Sequence, residues 1–208
     1  SGAPARRSAE ARITLPPAVM ARVFVVMTSA SVTVGLLFNF STNGNAQLLA
    51  ERFRGVVEDP ALLGAMLAAV YAVASLAQVV VGRLIDRVPL KPLYLGIALA
   101  QVPLLALATQ AEGWWMLWLL LAVMVFIFGS IPFTDAMIVR YVDDRIRSRV
   151  AGARLTVSIG ISSLAVWLLG PVVKASSFGA LLWGMALIAA CTVAVVAWLP
   201  GEKDIGAT

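Results

Sequence analysis

Long apolar runs constrain this chain more than any other feature of its sequence. They occupy most of the 208 residues, of which 61% are hydrophobic. Each run is close to the ~20 apolar residues that an α-helix needs to cross a bilayer. The runs are continuous rather than alternating, which argues against membrane-spanning strands. We therefore predict an all-α membrane protein with six transmembrane helices at about Ala18–Leu49, Ala61–Gly82, Pro92–Gln110, Trp114–Tyr141, Val150–Val173 and Phe178–Leu199.

These spans leave no room for a separate soluble domain. We expect residues 1–17, which end in Leu15-Pro16-Pro17, to be a polar cytoplasmic linker, because prolines suit the start of a helix. Residues 18–200 are predicted to form the six-helix transmembrane bundle, and residues 201–208 a cytoplasmic tail. Ser1-Gly2 reads like the cut edge of a longer protein. The first apolar run is too long for the core of a signal peptide.

Basic residues are distributed unequally between the two ends of the predicted spans. If the spans alternate in direction, only Arg52, Arg54 and Lys174 of the 16 basic residues fall on the less basic side. The positive-inside rule then places both termini in the cytoplasm, and we expect a bacterial inner membrane. The same asymmetry accounts for the net charge of +5. We therefore expect the basic loops to meet the lipid bilayer and not nucleic acid.

The first span carries a stripe of small and polar residues at helical spacing. Thr28, Ser31, Gly35, Asn39 and Thr42 follow one another at steps of three or four, so they share one face. Polar groups are costly in hydrocarbon unless they face protein or water. We interpret the stripe as one wall of a water-accessible cavity. The alternative is hydrogen bonding of these side chains between neighbouring helices, which is common in bundles.

The fourth span is interrupted near its middle. Pro132 frees a backbone carbonyl and bends a helix. The bulky or polar side chains of Phe126, Ser130 and Phe133 lie around this bend, and we expect them to line the same cavity. Three residues after the proline comes Asp135, roughly 9 Å inside the inner helix end at a rise of ~1.5 Å per residue.

Asp135 is the one acid that the sequence places well within a span. A buried ionised carboxylate is costly unless it is paired. Its position near the inner end puts it within reach of Arg140, Arg145 or the basic loop after the second span. We therefore predict a permanently ionised partner in a cytoplasmic charge cluster, and not the carrier of a coupling proton.

The short charged segment from residue 82 to residue 91 separates the second and third spans. It resembles the signature loop of the major facilitator superfamily, Gly-x-x-x-Asp-Arg-x-Gly-Arg-Arg, between the second and third helices of a six-helix half. Gly82, Asp86, Arg87 and Lys91 match this pattern, and the two residues before Lys91 depart from it. Such departures are common in the weaker copy of the C-terminal half. The alternative is a plain membrane hairpin with cytoplasmic basic residues.

A second segment, from Arg140 to Gly152, resembles the linker between the fourth and fifth helices of such a half. The resemblance implies that the first and fourth helices line a cavity, the small-faced second and fifth meet a second six-helix half, and the uniformly apolar third and sixth face lipid. It also implies a gating cluster at the cytoplasmic face, comprising Gly82, Asp86, Arg87, Lys91, Asp135, Arg140 and Arg145. We expect the C-terminal half of a secondary transporter that moves a small-molecule solute by alternating access.

Enzyme chemistry has little support in this sequence. The segment from Gly160 to Ser163 formally matches the Gly-x-Ser of intramembrane serine proteases, but the chain has no histidine to act as a base. Cys191 has no second cysteine, and Asp135 has no second aspartate within a span. We expect no enzyme, cofactor or metal site. The alternative function is a non-transporting six-helix scaffold or subunit. The uncharged stripe favours a neutral, amphipathic or weakly polar solute.

Overall fold

The computed structural model describes residues 17–142 and 144–199, with side chains from residue 20 onward except those of residues 144 and 145. Within these ranges the chain forms six α-helices and no strand, and all six are long and apolar enough to cross a membrane. The prediction of an all-α membrane protein with six spans is confirmed. The helices are α1 Pro17–Arg52, α2 Pro60–Ile85, α3 Leu90–Ala108, α4 Gly113–Tyr141, α5 Asp144–Ala175 and α6 Phe178–Ala197.

Short connections with defined caps turn the chain between helices. Asp59 caps α2 by accepting a hydrogen bond from the amide of Ala61 at 3.0 Å, and Pro60 follows at the first helical position, where its missing N–H is not needed. Ser177 caps α6 by accepting from the amide of Ala180 at 3.2 Å. Gly55 has a φ of +77°, which suits glycine in the turn that reverses the chain after α1. Consecutive helices are therefore antiparallel neighbours along the chain.

Two predicted boundaries are corrected by the structure. Helix α2 continues to Ile85 and α3 begins at Leu90, so Gly82 lies inside α2 and the connection comprises only residues 86–89. Helix α5 begins at Asp144, six residues before the predicted start at Val150. Backbone hydrogen bonding continues along a charged segment beyond the hydrocarbon, whereas the sequence prediction followed apolarity alone. The basic segment after α4 is therefore largely the first turns of α5.

Four helices form the centre of the bundle. Extensive contacts join α1 to α4 and to α6, and α3 to α4 and to α6, while α5 packs mainly on α1 and α2 mainly on α4. Exchanging the first three helices for the last three (α1 with α4, α2 with α5, α3 with α6) maps this set of contacts onto itself. Because each set has three spans, the two sets cross the membrane in opposite directions. The contact pattern is that of an inverted three-helix repeat.

Polar ties join the helices at each end of the bundle. We call the N-side the end at which α1, α3 and α5 begin, and the far side the opposite end. At the N-side, Lys91 Nζ donates to the carbonyl of Leu199 at 2.7 Å, and Arg22 Nε donates to the carbonyl of Trp198 at 2.6 Å. At the far side, Arg52 Nη2 donates to the carbonyl of Thr109 at 3.1 Å. These bonds join the starts of α1 and α3 to the end of α6, and the end of α1 to the end of α3.

Two glycines permit close helix packing at equivalent places in the repeat. A Cβ on Gly35 of α1 would lie 3.2 Å from Ser158 Oγ of α5, and one on Gly129 of α4 would lie 3.2 Å from Val81 Cγ2 of α2. The α1–α5 and α4–α2 pairs correspond under the exchange of the two repeats. Small residues at such contacts let helix backbones approach closely where no hydrophobic effect drives association.

Helices α2 and α5 are the least covered spans. Buried residues make up 17% of the α2 span and 11% of the α5 span, against 50% of the α4 span. The small residues of their outer faces, such as Gly64, Gly152 and Gly160, have open space around them. The predicted small faces of the second and fifth helices are therefore present, and the described part of the chain leaves them uncovered.

The packing of α1 on α5 predicts the effect of enlarging Gly35. Gly35→Leu forces side-chain atoms against Ser158, so we expect the free energy of unfolding to fall by about 1–3 kcal/mol, the usual cost of overpacking. Unfolding with sodium dodecyl sulfate in mixed micelles measures it. The matched control is Gly184→Leu on α6, where a Cβ meets open space. Equal stability of the two variants would show that the α1–α5 approach is looser than described.

Candidate functional site

An open groove lies between α1, α4 and α5, with a volume of about 360 Å³. We call it the polar groove. Apolar side chains of Val34, Phe38, Ile131 and Leu155 form part of its wall. The polar side chains that line it are those of Ser31, Asn39, Thr134, Asp135, Arg154, Ser158 and Ser162. The volume lies within the range of small-molecule sites in proteins.

Helix α1 contributes the polar stripe that its sequence predicted. Asn39 Nδ2 donates to the carbonyl of Gly35 and to Ser162 Oγ of α5, both at 2.9 Å. Ser31 is buried, and its Oγ has no hydrogen-bond partner among the described residues. The stripe therefore combines both expectations, since Asn39 bonds to a neighbouring helix while Ser31 lies in the groove with an unused hydroxyl.

A single ion pair spans the groove from α4 to α5. Arg154 Nη2 donates to Asp135 Oδ1 at 2.6 Å. The Arg154 side chain is 16% exposed and that of Asp135 is 69% exposed, so the cation is the more buried member. A guanidinium is always protonated in proteins. The pair therefore places a permanent, largely desolvated positive charge beside an open carboxylate.

The partner of Asp135 corrects the sequence prediction. We expected Arg140, Arg145 or the loop after α2, and the structure gives Arg154 instead. Helix α5 packs along α1, and this brings the Arg154 turn of α5 opposite Asp135 on α4. Arg140 points elsewhere: its Nη2 donates to the carbonyl of Ile85 at 2.7 Å. The side chain of Arg145 lies outside the described residues.

The remaining predicted cavity residues are divided between different surfaces. Thr42 Oγ1 donates to the carbonyl of Phe38 at 2.8 Å within its own helix, and Thr28 is half-buried on α1; neither belongs to the groove lining described above. On α4, Ser130 Oγ accepts from Gln101 of α3 at 2.7 Å, and Phe133 stacks on Tyr94 of α3 with ring centroids 4.5 Å apart.

Phe126 is likewise tied to α3 through its backbone. Its carbonyl accepts a hydrogen bond from Gln101 Nε2 at 3.0 Å. The structure thus places Phe126, Ser130 and Phe133 against α3, whereas Ile131 and Asp135 form the groove side of α4. An α-helix turns by about 100° per residue, so neighbouring residues such as Ser130 and Ile131 point to different faces. The predicted α4 lining is therefore not brought together with Ser31 and Asn39.

An aromatic cluster adjoins the groove on its far side. Phe38, which also lines the groove, lies 5.3 Å from Phe128 between ring centroids, and Phe128 lies 6.1 Å from Tyr71 of α2. Asn45 Nδ2 donates to Tyr71 Oη at 3.3 Å and contacts Met124 Sδ at 3.2 Å. Asn45 and Tyr71 were not predicted. Extending the stripe of α1 by one more step of three residues from Thr42 identifies Asn45.

The predicted gating residues form three separate groups at the N-side. Asp86 ends α2 and is exposed, and Arg87 beside it is also exposed. Arg140 binds the carbonyl of Ile85, directly before Asp86. Lys91 ties α3 to α6, and Asp135 pairs with α5. Among the described contacts, the junction of α2 and α4 brings Arg140 next to Asp86.

Polar side chains are unequally distributed over the outer surface of the described spans. Exposed positions of α3 and α6 carry only Ala, Gly, Leu, Pro, Trp and Cys. Exposed positions on the other four helices include Asn43, Ser75, Asp135, Thr156 and Ser163. Because exposed polar groups are costly in lipid, the α3/α6 surface is the part best suited to hydrocarbon. The polar groove opens away from it.

The exposure of Asp135 predicts a small structural contribution from the ion pair. A double-mutant cycle with Asp135→Asn and Arg154→Gln should give a coupling energy below about 1 kcal/mol, as for exposed pairs. Unfolding in mixed micelles provides the four free energies. A coupling of several kcal/mol would instead assign the pair to holding α4 and α5 together.

The bond from Arg140 to α2 predicts a local effect at the N-side. Arg140→Gln weakens a charged hydrogen bond to the Ile85 carbonyl. Amide hydrogen exchange of residues 84–89 should rise by about fivefold, equivalent to about 1 kcal/mol. Arg83→Gln, an exposed position in the last turn of the same helix, is the control. The same increase in both variants would show that Arg140 does not hold this junction.

Comparison with protein-family models, with curated proteins and with solved structures finds no match to this chain.

Proposed function

We propose that this chain is one six-helix half, the C-terminal one, of a secondary transporter of the major facilitator type. It moves a small solute across the membrane by alternating access against a second half, in the same chain or a separate one. The observation that carries this proposal is the polar groove, an open site with a partly buried cation beside the central α1–α4 contact. Charged groups at membrane depth mark solute pathways more often than they stabilise bundles.

The arrangement of the helices supports the proposal. An inverted three-helix repeat, inferred from the contact pattern, is the building unit of each half of these transporters. Solute sites in such folds lie near the interface of repeats. The polar groove lies between α1 of one repeat and α4 and α5 of the other. Its position is therefore the one that a rocking motion of two halves would open and close.

The uncovered faces of α2 and α5 support a second half as partner. These helices flank the α1–α4 contact on either side, and their outer faces carry small residues. A second six-helix bundle laid across both would cover the groove from the front. We further propose that the N-side, with its basic residues, is cytoplasmic and that the membrane is a bacterial inner membrane.

A non-transporting six-helix subunit is the alternative, and one observation favours it. The hydroxyls of Ser75, Thr156 and Ser163 each donate to a carbonyl of their own helix at 2.8–3.0 Å. These exposed groups are therefore satisfied in lipid and require neither water nor a partner. The alternative leaves the buried charge of Arg154 without a role beyond its one ion pair.

Alternating access predicts that one position in the groove is reached from both sides of the membrane. Ser158→Cys, in a background with Cys191→Ala, should react with a membrane-impermeant maleimide in sealed vesicles of either orientation. The control is Thr156→Cys, which lies on the exposed face of α5 and outside the groove lining, and should show no such two-sided reaction. Modification of Ser158→Cys from one side only, under every solute and pH condition tried, would contradict transport and favour the subunit.

A further inference from the structure

The polar groove contains hydrogen-bond donors that have no acceptor among the described residues. A guanidinium has five N–H groups, and the contacts of Arg154 with described residues use one of its nitrogens, Nη2, on Asp135. Ser31 Oγ is buried without a partner among the described residues. Ser162 Oγ accepts from Asn39, so its own hydrogen is still available to donate. The charged acceptor in this lining is the carboxylate of Asp135.

The two members of the ion pair differ in how well each would be solvated if the pair separated. Asp135, at 69% exposure, stays solvated if Arg154 turns to another partner. Arg154, at 16% exposure, would be left partly buried and unpaired if a cation took Asp135 away. The less solvated member of a pair loses more when its partner is removed. The asymmetry therefore favours an incoming anion over an incoming cation.

The apolar part of the groove wall indicates which kind of group the charged part of the solute is attached to. Val34, Phe38, Ile131 and Leu155 present apolar surface within the same groove. A group that binds Arg154 in this groove must therefore be attached to an apolar body. A carboxylate matches the planar fork of a guanidinium with two parallel hydrogen bonds.

We propose that the polar groove binds a small organic anion, a carboxylate on an apolar body, which takes Arg154 from Asp135. This proposal differs from the neutral, amphipathic or weakly polar solute expected from the α1 stripe, since that stripe does not include the charged wall of α5. The inference rests on the proposed function in one respect: the bound anion is the transported solute. Binding of the anion breaks the Asp135–Arg154 ion pair between α4 and α5. Anion binding is therefore coupled to the relative position of these two helices.

Three probes of one shape and different charge test the site: benzoate, benzamide and benzylammonium. Isothermal titration calorimetry on the full chain in detergent micelles measures their dissociation constants. We expect benzoate to bind at least about tenfold tighter than benzamide, the size of one charged hydrogen bond, and benzylammonium to bind most weakly. Benzamide binding as tightly as benzoate, or no binding of benzoate, would overturn the proposal.

Two substitutions then separate an anion site from a structural ion pair, because both break the pair. Arg154→Gln should abolish the preference for benzoate, while Asp135→Asn should tighten benzoate binding by removing a competing and repelling carboxylate. If the pair is purely structural, both substitutions should change the benzoate dissociation constant in the same direction. That result would overturn the proposal. Arg154→Lys, which keeps the charge and loses the fork, should bind benzoate with intermediate affinity and serves if Arg154→Gln does not fold.

The outcomes distinguish this inference from the proposed function. Charge-selective benzoate binding together with one-sided labelling of Ser158→Cys would leave the anion site standing and remove transport. Two-sided labelling without charge-selective binding would leave transport standing and remove the anion site.

Discussion

The hydrocarbon of a bilayer supplies no hydrogen-bond partners, so every polar side chain within a span must find one in the protein or face water. Many hydroxyl side chains of this bundle donate to a carbonyl of their own helix, and a smaller set of polar side chains bonds between helices. Gln101 of α3 donates to Ser130 and to the carbonyl of Phe126, and Asn45 lies between Tyr71 and Met124. These bonds hold α1, α2, α3 and α4 in one arrangement. The groups lining the polar groove are different, since Ser31 has no partner within the described part of the chain and Asp135 is largely exposed.

This constraint explains how far the fold could be predicted. The number and order of the spans follow from apolar length alone, and the structure confirms them within a few residues for most helix ends. The exception is α5, which begins at Asp144, because helical hydrogen bonding continues where the apolar residues stop. The same reason shortens the connection after α2 to residues 86–89. Apolarity locates the membrane crossing, whereas backbone hydrogen bonds locate the helix.

The site was predictable where polar residues recur at helical spacing. On α1 the stripe identified Ser31 and Asn39, because small and polar residues follow one another there at steps of three or four. On α4 nearly all faces are apolar, so the sequence could not show that Ser130 and Phe133 pack on α3. Gln101, a residue of another helix, decides that orientation. Arg154 is one of several arginines in a short segment, and only the packing of α5 on α1 shows that it is the one facing Asp135.

The groove also lies between two closely packed helix pairs. Helices α1 and α5 meet closely at Gly35, and α4 and α2 meet closely at Gly129, so each pair is held by packing that tolerates little change. Contact between α4 and α5 is much less extensive, and the Asp135–Arg154 pair is one of the bonds across it. A solute that binds Arg154 in place of Asp135 breaks a contact between two well-packed helix pairs, α1–α5 and α2–α4. The energy of one exposed ion pair is small, which suits a contact that must break and form again in each cycle.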